Sequence, residues 1–388
     1  MAKIAVILVL PIEYHTSSML RCRTIISALA DMGHEVTCYC PNPDKNNKYF
    51  SEQTVDIPRL KLYRYGGKAW SEKQSEIERK KNRSIKFMIK NVALNMFRKI
   101  DIFGSALMYL PEKKHISDNI LKGKHDILLS FSDPKPAHII GRYCKHQNPH
   151  ITYIQQWGDP LASDTTSKTV LPVWIRKWIE NTLIKPANKV CYVSPITLKT
   201  QKELFPDQAH KMFFLPTPSL SYDQKNRDQG KLTLGYFGSY HSIARNILPF
   251  YEAAKLNQSV DFLIIGDSDI ELKSTDNIKV IQRIPPEELK MYMQKIDVIV
   301  CLMNSKGNQI PGKVYHDASS EKDILVIKDG EYGDDIQAFF EKYDHYTFAD
   351  NTVDSINSAI MRYITSGVPI RKPVEDFQAS NVAKNLIE

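Results

Sequence analysis

A chain of 388 residues with 42% hydrophobic and 25% charged content has an ordinary globular composition and room for two domains of roughly 100–200 residues each. No run approaches the ~18 consecutive apolar residues of a spanning helix. The net charge of +8 is local, with ten Lys/Arg against three Asp/Glu in residues 68–100, which argues against a general nucleic-acid coat and for one anionic partner.

The opening, MAKIAVILVLPI, lacks a small-residue cleavage site and is expected to be a buried first strand. SSMLRCRTIISALADMGH then has helical spacing, with Ser17 or Ser18 as cap and Gly33 as stop. Further strands are expected at EVTCYC (35–40), DILLSFS (126–132), ITYIQQW (151–157) and KVCYVS (189–194). Beyond the polar stretch 216–231 come LTLGYFG (232–238), VDFLIIG (260–266), IKVIQRI (278–284), DVIVCLM (297–303) and ILVIKDG (324–330). Several of these are apolar on both faces, and helical patterns lie between them. That combination predicts an α/β protein with two doubly wound parallel sheets. The expected domains are 1–217 and 232–370, joined by a linker at 218–231, with a helix in 371–388 packing back on the first. The six cysteines include no C-x-x-C pair, so buried reduced thiols in a cytoplasmic protein are expected, without a zinc site.

The loop after the first strand has no glycine, so it is not the turn of a nicotinamide or flavin enzyme, and no phosphate-loop motif is present. In the second half, the strand ending at Gly238 leads through Ser239 and His241 to Arg245-Asn246, expected to open a helix whose start faces a phosphate. Gly266, before Asp267, leaves room for a flat group near the backbone. Lys313 follows a Pro-Gly turn, and His316 and Asp317 follow within one helical turn. Two cations converging from two loops suit one anion. In the first half, His15, Thr16 and Arg21 lie in or just after the first loop, and Trp157, Gly158 and Asp159 follow an apolar strand. There a tryptophan could stack on a sugar while an aspartate holds its hydroxyls.

Over nearly its whole length the chain resembles a two-domain glycosyltransferase of the GT-B fold, most similar to family 4, the retaining sugar-nucleotide enzymes. The segments that carry the resemblance are the first loop and helix with GHEVT, YIQQWGDP, VCYVSPITLKTQKELFP with FFLPTPS, YFGSYHSIARN and IPGKVYHDASSEKDILVI. The resemblance implies two Rossmann-like domains facing across a cleft. The first would bind the acceptor through His15, Thr16, Arg21, Trp157, Gly158 and Asp159. The second would bind a nucleotide diphosphate sugar through Gly238, Ser239, His241, Arg245, Asn246, Gly266, Asp267, Lys313, Val314, His316 and Asp317. Arg245 and Lys313 would carry the catalysis by holding the donor pyrophosphate.

The chain departs from the family at His316, usually a glutamate, at Asn308, often acidic, and at Ser239, where many members have an arginine. Adjacent helical residues point about 100° apart, so His316 and Asp317 cannot both face one ligand atom. The resemblance implies a ribose contact at His316, with Asp317 at the surface or helix start; the alternative is a small helix rotation that makes Asp317 the ribose ligand. The DSD at 267–269 is read as part of the nucleotide loop; no metal and no cofactor beyond the donor is expected. Glu321 is expected to be a solvated turn residue. Two alternatives share the fold: a sugar-nucleotide 2-epimerase, for which no paired carboxylates can be assigned, and a non-catalytic nucleotide-sugar-binding subunit. The acceptor would be a glycan or lipid-linked oligosaccharide of a bacterial surface polysaccharide. The basic stretch 68–100, with Arg79, Lys80, Lys81 and Arg83 among apolar residues, would lie on an anionic membrane surface.

Overall fold

In a computed structural model of the chain, the structure describes residues 1–47, 49–51, 57–66, 109–132, 134–163, 169–220, 230–241 and 244–388. The expected basic stretch 68–100 lies outside the described residues. The chain divides into two compact units, Met1–Pro216 with Ala379–Glu388, and Thr217–Gln378.

The first unit's sheet contains β1 (Lys3–Ile7), β2 (Glu35–Pro41), β3 (Leu60–Tyr65), β4 (Ile127–Phe131), β5 (Thr152–Trp157), β6 (Lys189–Tyr192) and β7 (Met212–Phe214). Their spatial order is β3-β2-β1-β4-β5-β6-β7, and all neighbours are parallel. The physical reason is visible in β1. Ala5 and Ile7 enter one core cluster, and Ile4 and Val6 enter another on the opposite face. A strand apolar on both faces needs cover on both faces, which the crossover helices supply. The second unit contains β8 (Thr233–Phe237), β9 (Asp261–Ile265), β10 (Ile278–Ile281), β11 (Val298–Leu302), β12 (Asp323–Lys328) and β13 (Tyr346–Asp350), in the order β10-β9-β8-β11-β12-β13. This is a doubly wound α/β fold in each half.

Helix α1 (Ser17–Asp31) is capped by the Thr16 hydroxyl, which accepts from the Met19 amide at 3.3 Å. The cap therefore lies one residue before Ser17 and two before Ser18, the expected caps. At the other end Gly33 takes φ 90°, a left-handed conformation that costs glycine little. The C-terminal helix α11 (Ala379–Ile387) places Val382, Ala383 and Leu386 in the cluster that holds Cys22, Ile26 and Leu29 of α1.

Residues 371–378, expected to travel with that helix, belong to the second unit instead. The Arg371 guanidinium pairs with buried Asp323 at 2.6 Å and with Asp344 at 2.7 Å. Phe377 packs against Tyr315 and Tyr343. The expected linker is also partly committed: the Ser219 amide donates to the Phe377 carbonyl and the Leu220 amide to that of His316.

Candidate functional site at the sheet switch points

Both sheets reverse their strand order at one place, between β1 and β4 in the first unit and between β8 and β11 in the second. In open α/β sheets, ligands bind outside the carboxyl ends of the strands at that reversal.

In the second unit, the loops leaving β8 and β11 meet there. Arg245 donates from Nε to Asn304 Oδ1 at 2.8 Å and from Nη1 to the Ser239 carbonyl at 3.4 Å. The Tyr236 hydroxyl donates to that same carbonyl at 2.9 Å, so the guanidinium is held from two loops. Lys313 approaches the same β8 loop. A methyl group placed on Gly238 would sit 3.5 Å from Lys313 Cε, so the lysine stem runs along the β8 loop. Among the described residues the Lys313 ammonium has no hydrogen bond or ion pair, and it is half-buried. The electrostatics agree with this convergence. Burial pushes the buried Cys301 thiol up, Asp317 pushes it further, and Lys313 and Arg245 oppose both. Burial also pushes Tyr236 up to about 12, with Arg245 opposing.

Several expectations change here. Arg245 does not open a helix. It closes a turn with His241 through reciprocal backbone bonds of 3.0 and 3.1 Å, and α6 (Leu248–Leu256) starts three residues later. Asn246 Oδ1 accepts from the Leu248 amide at 3.2 Å, so its side chain serves the helix start. Gly266 leaves no room for a flat group. A Cβ there would lie 1.9 Å from the Gly238 carbonyl oxygen, so the glycine permits two loops to touch. Asp267 faces Arg283 at 3.1 Å, and the neighbouring Asp269 lies 3.7 Å from His241.

Lys313 begins a single helical turn, α8 (Lys313–His316), followed by a 3-10 turn at Asp317–Ser319. Val314 is fully buried, and its carbonyl accepts from the Tyr346 hydroxyl. Asp317 was expected at the surface but is 1% exposed, and His316 is buried too. The turn is covered by Leu220 and the 371–378 segment, which the sequence pattern did not announce. Glu321 is exposed, and Asn308 is buried.

In the first unit, Arg21 turns inward from α1, is buried, and donates from Nη2 to the Ser132 carbonyl at 2.7 Å. The Ser132 hydroxyl accepts from the Gly158 amide at 3.0 Å, and the Ser132 amide donates to the Gln156 carbonyl. The structure thus joins Arg21 to Gly158 through Ser132. His15, partly exposed, is anchored by its amide on the Tyr49 carbonyl at 2.7 Å, and the Thr16 hydroxyl is engaged in capping.

Trp157 cannot stack on a sugar as the chain stands, because it is fully buried. It lies on the His138 ring at 4.2 Å and donates from Nε1 to Gln155 at 3.0 Å. Burial lowers His138 to about 3, so its ring is neutral in the fold. Asp159 follows in the turn, partly exposed.

Sequence reasoning missed Asn304 and Ser132, the partners that hold the two arginines. Ser132 ends the expected run 126–132 and Asn304 directly follows the expected run 297–303, so the strand order, had it been known, would have pointed to both.

No protein-family model matches the chain, and no curated protein sequence does. Solved structures match it over its whole length. A glycosyltransferase from Rickettsia africae has a TM-score of 0.60 at 12% identity, covering 99% of this chain and 94% of that one. The Anabaena protein HepE, solved in complex with UDP and glucose, has a TM-score of 0.59 at 11% identity, covering 100% and 95%. A putative UDP-N-acetylglucosamine 2-epimerase from Listeria monocytogenes has a TM-score of 0.55 at 10% identity, covering 100% and 95%. At these identities the likeness speaks for the fold alone: the chain has the GT-B architecture of two parallel-sheet α/β domains.

Proposed function

We propose that the protein is a metal-independent, retaining glycosyltransferase that moves a hexose from a nucleotide diphosphate sugar to a hydroxyl of a glycan. The observation that carries this reading is Lys313, an ammonium without a partner among the described residues, approaching the same loop as the pinned Arg245 at the β8/β11 reversal. When the sugar leaves, negative charge develops on the diphosphate. Cations already in place stabilise that charge without reorganising, which is where fixed electrostatics contribute most. Arg245 suits a fixed, directional contact because Asn304 and Ser239 hold its fork. Lys313 suits a point charge on a movable stem.

On this reading His316, Asp317, Val314, Gly238, Ser239, His241, Asn246, Gly266 and Asp267 surround or shape the donor site. His15, Thr16, Arg21, Trp157, Gly158 and Asp159 shape the acceptor side, several of them by packing rather than by contact. We place the enzyme in bacterial surface polysaccharide synthesis, O-antigen or capsule, on a lipid-linked acceptor, peripheral to the inner face of the plasma membrane. No helix among the described residues is long and apolar enough to cross a membrane. The stretch 68–100, outside the described residues, would supply basic contact.

The same architecture in a protein named a putative 2-epimerase keeps epimerisation as the second reading. Incubating purified protein with a panel of nucleotide sugars separates the two. Slow release of free sugar and nucleoside diphosphate supports transfer, and a new nucleotide sugar replaces it with epimerisation. No turnover, with nucleotide still bound, replaces both with a binding subunit.

A further inference from the structure

We infer that the outer face of helix α4 (Val173–Ile184) docks on an anionic lipid surface. The helix divides sharply. Leu183 and Ile184 enter the first unit's core, and Glu180 is fully buried, accepting from the Leu161 and Ala162 amides at 2.9 and 2.6 Å. The opposite face presents Val173, Trp174 and Trp178, exposed by 54%, 72% and 67%, with Val170 just before it exposed by 64%. A shallow groove of about 370 Å³ separates the two indoles from Phe205 and Pro206. Water gains nothing from two adjacent indoles and two valines, so an apolar or interfacial partner covers them.

Charge selects the partner. Lys177 lies between the tryptophans on the exposed face, and exposed Lys185 follows about two turns further on. Residues 169–212 carry seven Lys/Arg against three Asp/Glu, of which Glu180 is buried and Asp207 lines the groove opposite Lys177's helix. A second copy of this chain would set that positive surface against itself in a two-fold contact. A neutral glycan would use the indole faces but has no need of exposed valines or a cationic surround. Indoles at headgroup depth, short apolar side chains below them and lysines reaching anionic phosphates fit one environment, the boundary of an anionic bilayer. The inference does not rest on the transferase reading, because it involves neither the switch-point cations nor a nucleotide.

The full chain is sedimented with phosphatidylglycerol/phosphatidylcholine vesicles and with phosphatidylcholine vesicles alone, as wild type and as Trp174→Ser with Trp178→Ser. Both positions are exposed, so the variant should fold, and an unchanged thermal transition verifies this. The expected result is binding that requires the anionic lipid, weakens at high salt, and falls by about tenfold or more in the double variant. Wild type that ignores the anionic vesicles overturns the inference, as does a double variant that binds them equally. Loss of a dimer in sedimentation velocity, with vesicle binding intact, overturns it in favour of a second copy. Binding to a soluble oligosaccharide that disappears in the variant, again with vesicle binding intact, overturns it in favour of a glycan.

Discussion

Arg21 on α1 and Arg245 in the β8 loop each follow the first strand of their sheet, and each donates to a carbonyl just after a strand at the sheet reversal. Arg21 is 7% exposed, and its charge is committed to Ser132 inside the core. Arg245 is half-buried and held by Asn304, and the stem of Lys313, which has no hydrogen bond or ion pair among the described residues, runs along the same loop. A guanidinium sealed in the core ties a helix to a sheet. One pinned at the rim, on a loop that a second cation also approaches, is positioned for an anion that comes and goes. The fold supplies the same reversal twice, and side-chain burial distinguishes scaffold from site.

The largest effect that would break this contrast is on turnover. Arg245→Ala and Lys313→Ala should each lower it by on the order of 10²–10³, the scale of removing one preorganised donor, with little change in thermal stability. Near-wild-type turnover of either variant at saturating donor would remove the pyrophosphate assignment.

The first unit should answer to pH through one buried carboxyl. Burial raises the Glu180 carboxyl from 4.5 to about 7, opposed by the Leu161 and Ala162 amides. The folded state therefore holds this proton more tightly than the unfolded chain. That contribution is fully present below about pH 4.5 and is lost as pH rises through about 7. Glu180→Gln should match the wild type near pH 4.5 and be more stable at pH 8, by up to about 3 kcal/mol. Thermal unfolding at the two pH values reads it, and a variant less stable at pH 8 would refute it.

Arg21→Met sharpens the comparison from the other side. Losing a charged hydrogen bond to a buried carbonyl should cost about 1.5–3 kcal/mol of stability while nucleoside diphosphate affinity stays unchanged. A fall in that affinity would make Arg21 part of the anion site.

The smallest effects concern two glycines. Gly266→Ala drives a methyl into the Gly238 carbonyl and should cost about 1–3 kcal/mol. Gly238→Ala meets only ordinary contacts at 3.5 Å and should change stability by less than that. Equal costs in a denaturant titration would contradict the loop contact.

What the sequence showed and hid follows from the same physics. Each of the ten apolar runs contains a strand, because strands buried on both faces advertise themselves by composition. The strands β3, β7 and β13, reading LKLYRY, MFF and YTFAD, went unread. They are short or partly exposed, and polar residues interrupt β3 and β13. Arg245 and Lys313 were visible as polar residues after apolar strands. The His241–Arg245 turn was not, since it is closed by backbone bonds with no residue signature. Trp157 was misread because a strand-end tryptophan looks alike from the sequence whether it caps the core or faces a ligand. Only the His138 ring stacked on it and the Gln155 bond place it in the core. Asp317 was misread because its cover comes from segments about 50 and 100 residues away.

The most direct test of the rim site is calorimetric titration with nucleoside diphosphates and their parent nucleosides, on wild type and Lys313→Ala. The account predicts that wild type binds at least one diphosphate far more tightly than its nucleoside, and that Lys313→Ala loses most of that difference while still binding the nucleoside as before. A diphosphate bound equally well by both proteins would contradict it.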